Sequence, residues 1–250
     1  MPDNEMVPDS HQLRIDGIRK RFGRKEVVKG VDFSMDTGQV ISLLGPNGAG
    51  KTTVFYIIVG FIHPTSGQVF LDETDISRLP MYRRARAGIS YLPQEASVFR
   101  KLTVEQNLQA VLEPRKDLSR TGKRERVEQL LEELGIAELR KQKAFTLSGG
   151  ERRRTEIARA LAIEPRFLLL DEPFAGIDPR ARYEIKSIIA QLSAKNIGVL
   201  ITDHNERDTL EISDYSYLIH QGEIVVAGKR EEIEQNETAR HIYLGHDYAR

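Results

Sequence analysis

The chain has 250 residues, 40% of them hydrophobic, and its 37 basic residues balance its 37 acidic residues. This length predicts one elaborated domain or two small ones, and the zero net charge argues against a general role in binding nucleic acid. The sequence has no cysteine, which excludes disulfides, thiolate metal sites and cysteine nucleophiles. Its longest apolar stretch, residues 55–62, is far shorter than the ~20 residues of a membrane-spanning helix.

The N-terminal part of the chain combines a polar segment with short alternating apolar runs. Residues 1–11 are acidic and contain proline but no apolar core, so we expect a flexible tail and no signal peptide. Residues 13–18, 31–35 and 68–71 alternate apolar and polar side chains. They predict the strands of an antiparallel annex near the N-terminus.

Continuous apolar runs next to helical patterns predict a mostly parallel sheet that is covered by helices. Val40–Leu44 has the composition of a buried strand, and residues 51–61 predict the helix that follows it. Ile89–Leu92 is another candidate strand, which Pro93 ends.

Between residues 95 and 162 the sequence becomes helical and charged. Thr103 and Gln106 have the spacing of a capping box at a helix start. The apolar residues of a later helix recur at positions i, i+3, i+4 and i+7, and they are Val127, Leu130, Leu131 and Leu134, with Gly135 as the expected C-terminal cap. We interpret residues 95–162 as a helical subdomain inserted into a core that is formed by residues 12–94 and 163–250.

Alternation of strands and helices then resumes. Apolar runs at residues 167–170 and 198–201 predict two buried strands. An Asp-Pro pair at 178–179 predicts a helix start with proline in the favoured first position. The expected buried face of this helix is Ile185, Ile188, Ile189 and Leu192. Residues 215–219 and 224–227 predict a closing hairpin.

A glycine-rich segment separates the strand Val40–Leu44 from the helix after it. Residues 45–52 read Gly-Pro-Asn-Gly-Ala-Gly-Lys-Thr and match the pattern G-x-x-x-x-G-K-[ST]. Glycines let successive backbone N–H groups converge on a phosphate, and the helix N-terminus adds its dipole. Lys51 supplies a charge for the β- and γ-phosphates, and Thr52 supplies a hydroxyl for Mg²⁺. The segment therefore predicts a phosphate site rather than an ordinary strand-to-helix turn.

Two acidic residues end the apolar run Phe-Leu-Leu-Leu-Asp-Glu-Pro at residues 167–173. Side chains alternate along a strand, so Asp171 and Glu172 cannot both point the same way. We assign Asp171 to Mg²⁺ and Glu172 to polarising the water that attacks the γ-phosphate. Without the glycine-rich segment, two solvated acids at a strand end would be the simpler interpretation.

Three further residues each have a functional and an ordinary interpretation. His204 follows the predicted strand 198–201 at a sheet edge where ligands bind, and its position leaves a γ-phosphate contact and a structural role equally open. Gln94 could contact Mg²⁺ or the attacking water, although a solvated loop glutamine is the simpler interpretation. Phe22 could stack on a base, whereas a core aromatic is the simpler assignment.

The segment Leu-Ser-Gly-Gly-Glu at residues 147–151 opens a helix rich in Arg, Glu and Ala. Ser148 and Glu151 have the spacing of a capping box, and capping alone explains them. Residues 152–154 are all arginine, and we expect them on a solvated face because the overall charge is balanced.

Taken together, these segments resemble the ATP-binding-cassette (ABC) ATPases. The glycine-rich loop, a Gln after a strand, LSGGE, LLLDEP, AGIDP and TDH occur in that family's order, over residues 13–248. The resemblance implies an α/β fold, with a P-loop NTPase (RecA-like) core, an N-terminal antiparallel β annex and an inserted α-helical subdomain. It also implies an enzyme that hydrolyses ATP with Mg²⁺ as cofactor.

The resemblance further implies a head-to-tail homodimer, with Asp178 at the dimer seam and Glu172 and His204 as catalytic residues. The residues implied to bind ATP in their own subunit are Phe22, Gly45, Pro46, Asn47, Gly48, Ala49, Gly50, Lys51, Thr52, Thr53 and Gln94. Those implied to cover the ATP of the other subunit are Ser148, Gly149, Gly150 and Glu151. The implied Mg²⁺ ligands are Thr52, Gln94 and Asp171.

Residues 92–101, 147–154, 200–205 and 243–248 resemble the lipopolysaccharide-export branch of the family. Cassettes for branched-chain amino acid uptake share much of this sequence and are the alternative. The branch implies integral membrane subunits whose coupling helices enter a groove at Phe99 and Arg100, although Phe99 could equally fill the subdomain core.

The same resemblance implies a cytoplasmic protein, peripheral on the cytoplasmic face of the inner membrane, with no insertion into the bilayer and no nucleic-acid partner. Cassette proteins that act on DNA or ribosomes usually carry a long coiled-coil insertion or a second cassette, and the chain has neither. Another alternative is a scaffold that binds nucleotide without hydrolysing it. The presence of Glu172 and His204 argues against this alternative.

Overall fold

The computed structural model describes residues 10–244, which form two β-sheets with helices around them. Residues 1–9 of the predicted tail and residues 245–248 of the family-like C-terminal stretch lie outside the described part. His11 is inside it, where its ring lies 2.9 Å from the Asp72 carboxylate. Every helix of the described residues is too short or too polar to cross a bilayer.

The strands are β1 (Gln12–Phe22), β2 (Lys25–Asp36), β3 (Val40–Leu44), β4 (Ser66–Leu71), β5 (Thr74–Asp75), β6 (Ile89–Leu92), β7 (Phe167–Asp171), β8 (Gly198–Thr202), β9 (Tyr215–His220) and β10 (Glu223–Gly228). The helices are α1 (Lys51–Val59), α2 (Met81–Arg86), α3 (Val104–Leu112), α4 (Arg120–Glu133), α5 (Gly149–Leu161), α6 (Pro179–Ala194), α7 (Glu206–Ile212), α8 (Arg230–Gln235) and α9 (Glu237–Ala239). Two short 3₁₀ turns precede α5, and a π-helical turn, Arg240–Leu244, follows α9.

The N-terminal strands form the predicted antiparallel annex, in the order β2-β1-β4-β5. Strands β1 and β2 are longer than the strands that we predicted from the alternating apolar runs. They remain paired up to their turn, where Phe22 lies opposite Lys25. Strand pairing is made by backbone hydrogen bonds, which do not depend on the side chains. The polar ends of both strands can therefore pair although they have no apolar face.

The core sheet has the order β10-β9-β3-β8-β7-β6, and every neighbouring pair except β9–β10 is parallel. The mostly parallel sheet and the closing hairpin are therefore confirmed. Helix α1 ends at Val59, two residues before the predicted end, because Gly60 adopts a left-handed conformation and donates to the Tyr56 carbonyl.

Alternating side chains of the core strands enter two different hydrophobic cores. Leu169 of β7 packs with α1 and the annex, whereas Leu168 and Leu170 of the same strand pack with α6 and the helical segment between β6 and β7. The predicted apolar faces of α4, which lies in that segment, and of α6, which follows β7, are both buried. Both faces of the sheet are covered, which is the physical reason for its continuous apolar strands.

A fully buried arginine fastens the end of α1. The guanidinium of Arg84 donates to the carbonyl oxygens of Ile57 and Ile58 at 2.7 and 2.8 Å, and to those of Leu79 and Ser77 at 2.9 and 2.8 Å. The carbonyls at a helix C-terminus carry the negative end of its dipole and lack partners within the helix. Arg84 therefore holds α1 in place from the end opposite Lys51.

We predict that Arg84→Lys destabilises the protein by about 2–4 kcal/mol, because a lysine leaves several buried carbonyls unsatisfied. Urea unfolding followed by circular dichroism measures the change. Arg83→Lys, at the exposed neighbouring position, is the matched control and leaves the unfolding midpoint unchanged. Equal midpoints for the two variants would contradict the role given to Arg84.

Candidate functional site

Four strand ends bring the predicted site residues to one edge of the core sheet. Strands β3, β8, β7 and β6 are parallel neighbours, so their carboxyl ends face the same way. The glycine-rich segment follows β3, Glu172 follows β7, His204 follows β8 and Gln94 follows β6. The crevice beyond such strand ends is where ligands bind in open α/β sheets.

The glycine-rich segment needs glycine for steric reasons. Gly45 has φ 152°, and a Cβ at this position would lie 2.2 Å from the carbonyl oxygen of Ile219. Gly50 has φ 115°, in the left-handed half of the Ramachandran map, and precedes the first residue of α1. Because both positions exclude a side chain, the backbone of the segment curls against β9 and opens its N–H groups at the start of the helix.

Helix α1 begins without a capping side chain and without an acidic residue in its first turn. Several other helices of the described residues are capped by side-chain oxygens, as α3 is by Thr103 and α6 is by Asp178, whereas the short α2 lacks such a cap as α1 does. The free N–H groups and the positive end of the α1 dipole therefore remain available to an anion. Thr52, in the first turn, is exposed at this end of the helix.

Lys51 is buried at the centre of this edge. Its ammonium donates to the carbonyl oxygens of Gly45 at 2.5 Å and Pro46 at 3.1 Å. Burial lowers the pKa of Lys51, and nearby negative charges oppose this effect. These charges belong to Glu172, Asp171 and Asp203. An ammonium surrounded by carboxylates and bonded to the loop provides a positive charge for phosphates.

The two adjacent carboxylates have different surroundings. Asp171 ends β7 and is buried, and the hydroxyl of Tyr91 donates to its Oδ2 at 3.0 Å. Burial raises the pKa of Asp171, while the hydrogen bond from Tyr91 opposes the rise. Glu172 has φ 47°, and its N–H donates to the Thr202 carbonyl at 2.7 Å. At this left-handed turn of the backbone the chain leaves the strand, which ends at Asp171.

Glu172 gathers two of the other predicted site residues. Its Oε2 accepts a hydrogen bond from the Gln94 amide at 2.6 Å and lies 3.2 Å from Nδ1 of His204. The His204 ring is largely exposed. Gln94 is an exposed loop residue, as in the simpler interpretation, and its amide also contacts the carboxylate of Glu172. Such a fixed carboxylate can act as a general base or orient a water molecule.

The capping box at the start of α5 is confirmed. The Glu151 carboxylate accepts from the Ser148 N–H at 2.8 Å, and the Ser148 hydroxyl accepts from the Glu151 N–H at 3.4 Å. A Cβ on Gly150 would lie 2.6 Å from that of Ala181, and one on Gly149 would lie 3.0 Å from a backbone carbonyl oxygen. Close packing of α5 on the start of α6 therefore requires Gly150, while Gly149 lies tightly against the loop that precedes α6.

Arg153 corrects the expectation of a solvated arginine face. It is 5% exposed, and its guanidinium donates to the carbonyl oxygens of Pro93 at 2.9 Å, Asp171 at 3.0 Å and Glu172 at 3.1 Å. It also forms a buried ion pair with Glu156 at 3.3 Å. Helix α5 is thereby joined to the ends of β6 and β7. Arg153 lies four residues before the buried Ile157, so the two side chains share one face of α5. This helical spacing is the feature of the sequence that indicates a buried Arg153.

Phe22 and Phe99 are about half exposed, so neither is the core aromatic of the simpler interpretation. Lys20 lies 5.2 Å from the centre of the Phe22 ring. The guanidinium of Arg159 lies 4.4 Å from the centre of the Phe99 ring, and Arg100 is exposed beside it. Each half-exposed ring therefore has a cation beside it and surface that is open to solvent.

Asp178 caps α6, and its carboxylate accepts from the Ala181 N–H at 3.0 Å. This hydrogen bond lowers the pKa of Asp178. In the described residues, no three His, Asp or Glu side chains gather into a metal site. Mg²⁺ is usually held by one or two protein oxygens together with substrate phosphates, and the Thr52 hydroxyl and the Asp171 carboxylate are donors that fit such an ion.

Comparison with known sequences shows extensive similarity. A family model described as ABC transporter matches residues 28–175. The lipopolysaccharide export system ATP-binding protein LptB of Acidithiobacillus ferridurans is 52% identical, over 96% of this chain and 99% of the relative. The protein of the same name from Escherichia coli strain K12 is 49% identical, over 94% of this chain and 98% of the relative.

Solved structures agree with the sequence comparison. A crystal structure of an ATP-binding cassette of an ABC transporter in its ADP conformation has a TM-score of 0.84 and 31% identity. It covers 94% of this chain and 99% of its own. A nucleotide-free ATP-binding cassette has a TM-score of 0.82 and 30% identity, over 94% and 99% of the two chains.

We predict that Arg153→Met destabilises the protein by about 3–5 kcal/mol, because it leaves the buried Glu156 carboxylate without its partner. The double variant Arg153→Met/Glu156→Gln recovers a large part of this loss, since it removes the unpaired charge and keeps an acceptor for the Ser97 N–H. Chemical unfolding of both variants measures the difference. Arg152→Met, at the neighbouring position outside this cluster, is the control. A double variant no more stable than the single one would refute the ion pair's role.

Proposed function

The chain belongs to the ABC transporter family, and we propose that it is the ATPase subunit of a transporter that exports lipopolysaccharide. As a member of this family it is an ATP-hydrolysing enzyme. The proposed cargo is supported by relatives that carry this function in their names and match about half of the residues over nearly the whole chain. The alternative cargo is that of another ABC transporter, such as one for branched-chain amino acid uptake.

The observation that carries the catalytic part of the proposal is the uncapped start of α1 beside Lys51 and the two carboxylates. Free backbone N–H groups of the glycine-rich segment and of the first turn of α1, together with the Lys51 ammonium, would bind the β- and γ-phosphates of ATP. Thr52 and Asp171 would hold Mg²⁺, with Gln94 nearby. When bound, this ion neutralises part of the phosphate charge. Phe22, with its half-exposed ring, would stack on adenine.

Glu172 is the residue that we propose to activate the attacking water. Its carboxylate would accept a hydrogen bond from that water and orient it in line with the γ-phosphate. Gln94 holds the carboxylate by its amide at 2.6 Å. His204, whose ring is largely exposed beside Glu172, would contact the γ-phosphate.

The proposal includes a head-to-tail homodimer. Ser148, Gly149, Gly150 and Glu151 start α5, and in the dimer this helix N-terminus would face the γ-phosphate bound to the partner subunit. The capping box keeps the first turn of α5 rigid, which prepares it for an anion at low entropic cost. Asp178 would lie at the seam of the two subunits.

Membrane subunits are the other proposed partners, and they would place the chain on the cytoplasmic face of the inner membrane. Their coupling helices would enter a groove that includes Phe99 and Arg100. Support comes from the half-exposed Phe99 ring with Arg159 stacked on it, because an aromatic ring next to arginine is typical of an interface hot spot.

We predict that Glu172→Gln lowers ATP hydrolysis by about 100-fold or more, since it removes the general base, while ATP binding is retained and a dimer accumulates. Phosphate release measures turnover, and size-exclusion chromatography with ATP measures the dimer. Lys51→Ala is the comparison variant, in which affinity for a fluorescent ATP analogue is lost. Hydrolysis near the parental rate in Glu172→Gln would show that the carboxylate assignment is wrong.

We predict that Phe99→Ala weakens association with the membrane subunits and leaves the ATPase activity of the isolated chain intact. Copurification of the chain with its membrane partners, followed by mass spectrometry, measures the association and identifies the transporter. The control is Tyr183→Ala, which removes a different exposed aromatic ring, on α6. We expect this variant to copurify with the membrane partners as fully as the parental chain. Normal recovery with Phe99→Ala would contradict the groove, and partners of an amino acid uptake system would favour the alternative cargo.

A further inference from the structure

The site contains a contact that the proposed mechanism does not use, and it involves the tyrosine three residues before Gln94. We propose that Tyr91 is a positioning residue, whose hydroxyl holds the buried carboxylate of Asp171 in the orientation that binds the metal ion. The inference rests on the proposed function, because it concerns the same ATP site.

The hydroxyl of Tyr91 reaches Asp171 from the neighbouring strand. Strands β6 and β7 are parallel, with Tyr91 opposite Leu169 and Leu92 opposite Leu170. The Tyr91 ring therefore extends along the sheet toward the end of β7, and its hydroxyl donates to Oδ2 of Asp171 at 3.0 Å. This hydrogen bond occupies one carboxylate oxygen and leaves Oδ1 for another ligand.

Three aromatic rings restrict the Tyr91 side chain. Phe55, Tyr56 and Phe61 meet its ring edge-on, with centroid distances of 6.5, 6.3 and 5.8 Å. Edge-to-face contacts of this kind favour a defined ring orientation. The hydroxyl of Tyr91 is therefore held beside Asp171 by a packed ring. A water molecule or a long flexible side chain in its place could move away from the carboxylate.

Asp171 has a particular need for such a contact. It is 4% exposed, so water cannot satisfy both of its oxygens or fix the rotation of the carboxylate. A buried acceptor that loses its donor incurs the desolvation penalty of that group. A carboxylate that one hydrogen bond already orients binds a second ligand without a further loss of rotational freedom.

The test compares Tyr91→Phe with the parental chain and with Tyr217→Phe. Tyr217 is a half-buried tyrosine in another aromatic cluster, and its hydroxyl donates to the Ser34 carbonyl at 3.4 Å. Tyr217→Phe therefore removes an equivalent hydroxyl outside the site. The two readouts are the Mg²⁺ concentration that gives half-maximal ATPase activity, and the affinity for a fluorescent ATP analogue with Mg²⁺ and with EDTA.

In Tyr91→Phe we expect the half-saturating Mg²⁺ concentration to rise about tenfold, the change that loss of one hydrogen bond to a charged group produces. Affinity for the analogue falls only when Mg²⁺ is present and is parental in EDTA. Tyr217→Phe is parental in all measurements. An unchanged Mg²⁺ requirement in Tyr91→Phe would overturn the inference, and so would an equal loss of affinity in EDTA, which would indicate a general packing role.

A second variant keeps the test valid if Tyr91→Phe does not fold. Phe61→Leu removes one edge contact at a half-exposed position and keeps the Tyr91 hydroxyl. We expect it to raise the half-saturating Mg²⁺ concentration about two- to threefold, because the ring is less well fixed; a parental value would count against the inference. A parental chain that binds no ATP would instead contradict the proposed function.

Discussion

Four parallel strands that end at one edge of a sheet determine where every charged group of the candidate site lies. Strand β3 leads into the glycine-rich segment, and β8, β7 and β6 deliver Asp203, Asp171 and the loop of Gln94 to the same edge. Lys51 lies among these acids, and their negative charges oppose the lowering of its pKa by burial. Because parallel strands cannot be reversed without losing both cores, the positions of these groups depend on the sheet as a whole.

Two buried arginines hold helices in place through backbone carbonyl oxygens, Arg84 at the end of α1 opposite this edge and Arg153 at the edge itself. Arg84 fastens the C-terminal end of α1, the helix whose other end carries Lys51. Arg153 fastens α5 to the carbonyl oxygens of Asp171 and Glu172. A planar guanidinium has five N–H donors in a rigid arrangement, so it can join several backbone segments at once. Movement of α5 is therefore coupled by hydrogen bonds to the backbone that carries the carboxylates of Asp171 and Glu172.

The N-termini of α1 and α5, which are both proposed to contact phosphate, differ in how they are capped. The N-cap residue of α1 is Gly50, which has no capping side chain, so the first N–H groups of the helix are free to bind an anion. Helix α5 starts at Ser148 with a complete capping box, which makes it a stable helix in the single chain. This difference fits the proposed dimer, in which the first site forms within one chain and the second becomes complete only when two chains meet.

The strands of the core, the glycine-rich segment and the capping box of Ser148 could all be predicted from the sequence. These features depend on residues within one or two turns of each other, and periodicity and capping rules describe such neighbours. The burial of Arg153, the exposure of Phe99 and the hydrogen bond from Tyr91 to Asp171 became evident only from the packing of distant segments. Tyr91 and Asp171 are 80 residues apart, and the order of strands in the sheet, which no local pattern encodes, makes them neighbours. The side of a helix or strand that faces water likewise depends on the distant segments that pack against it.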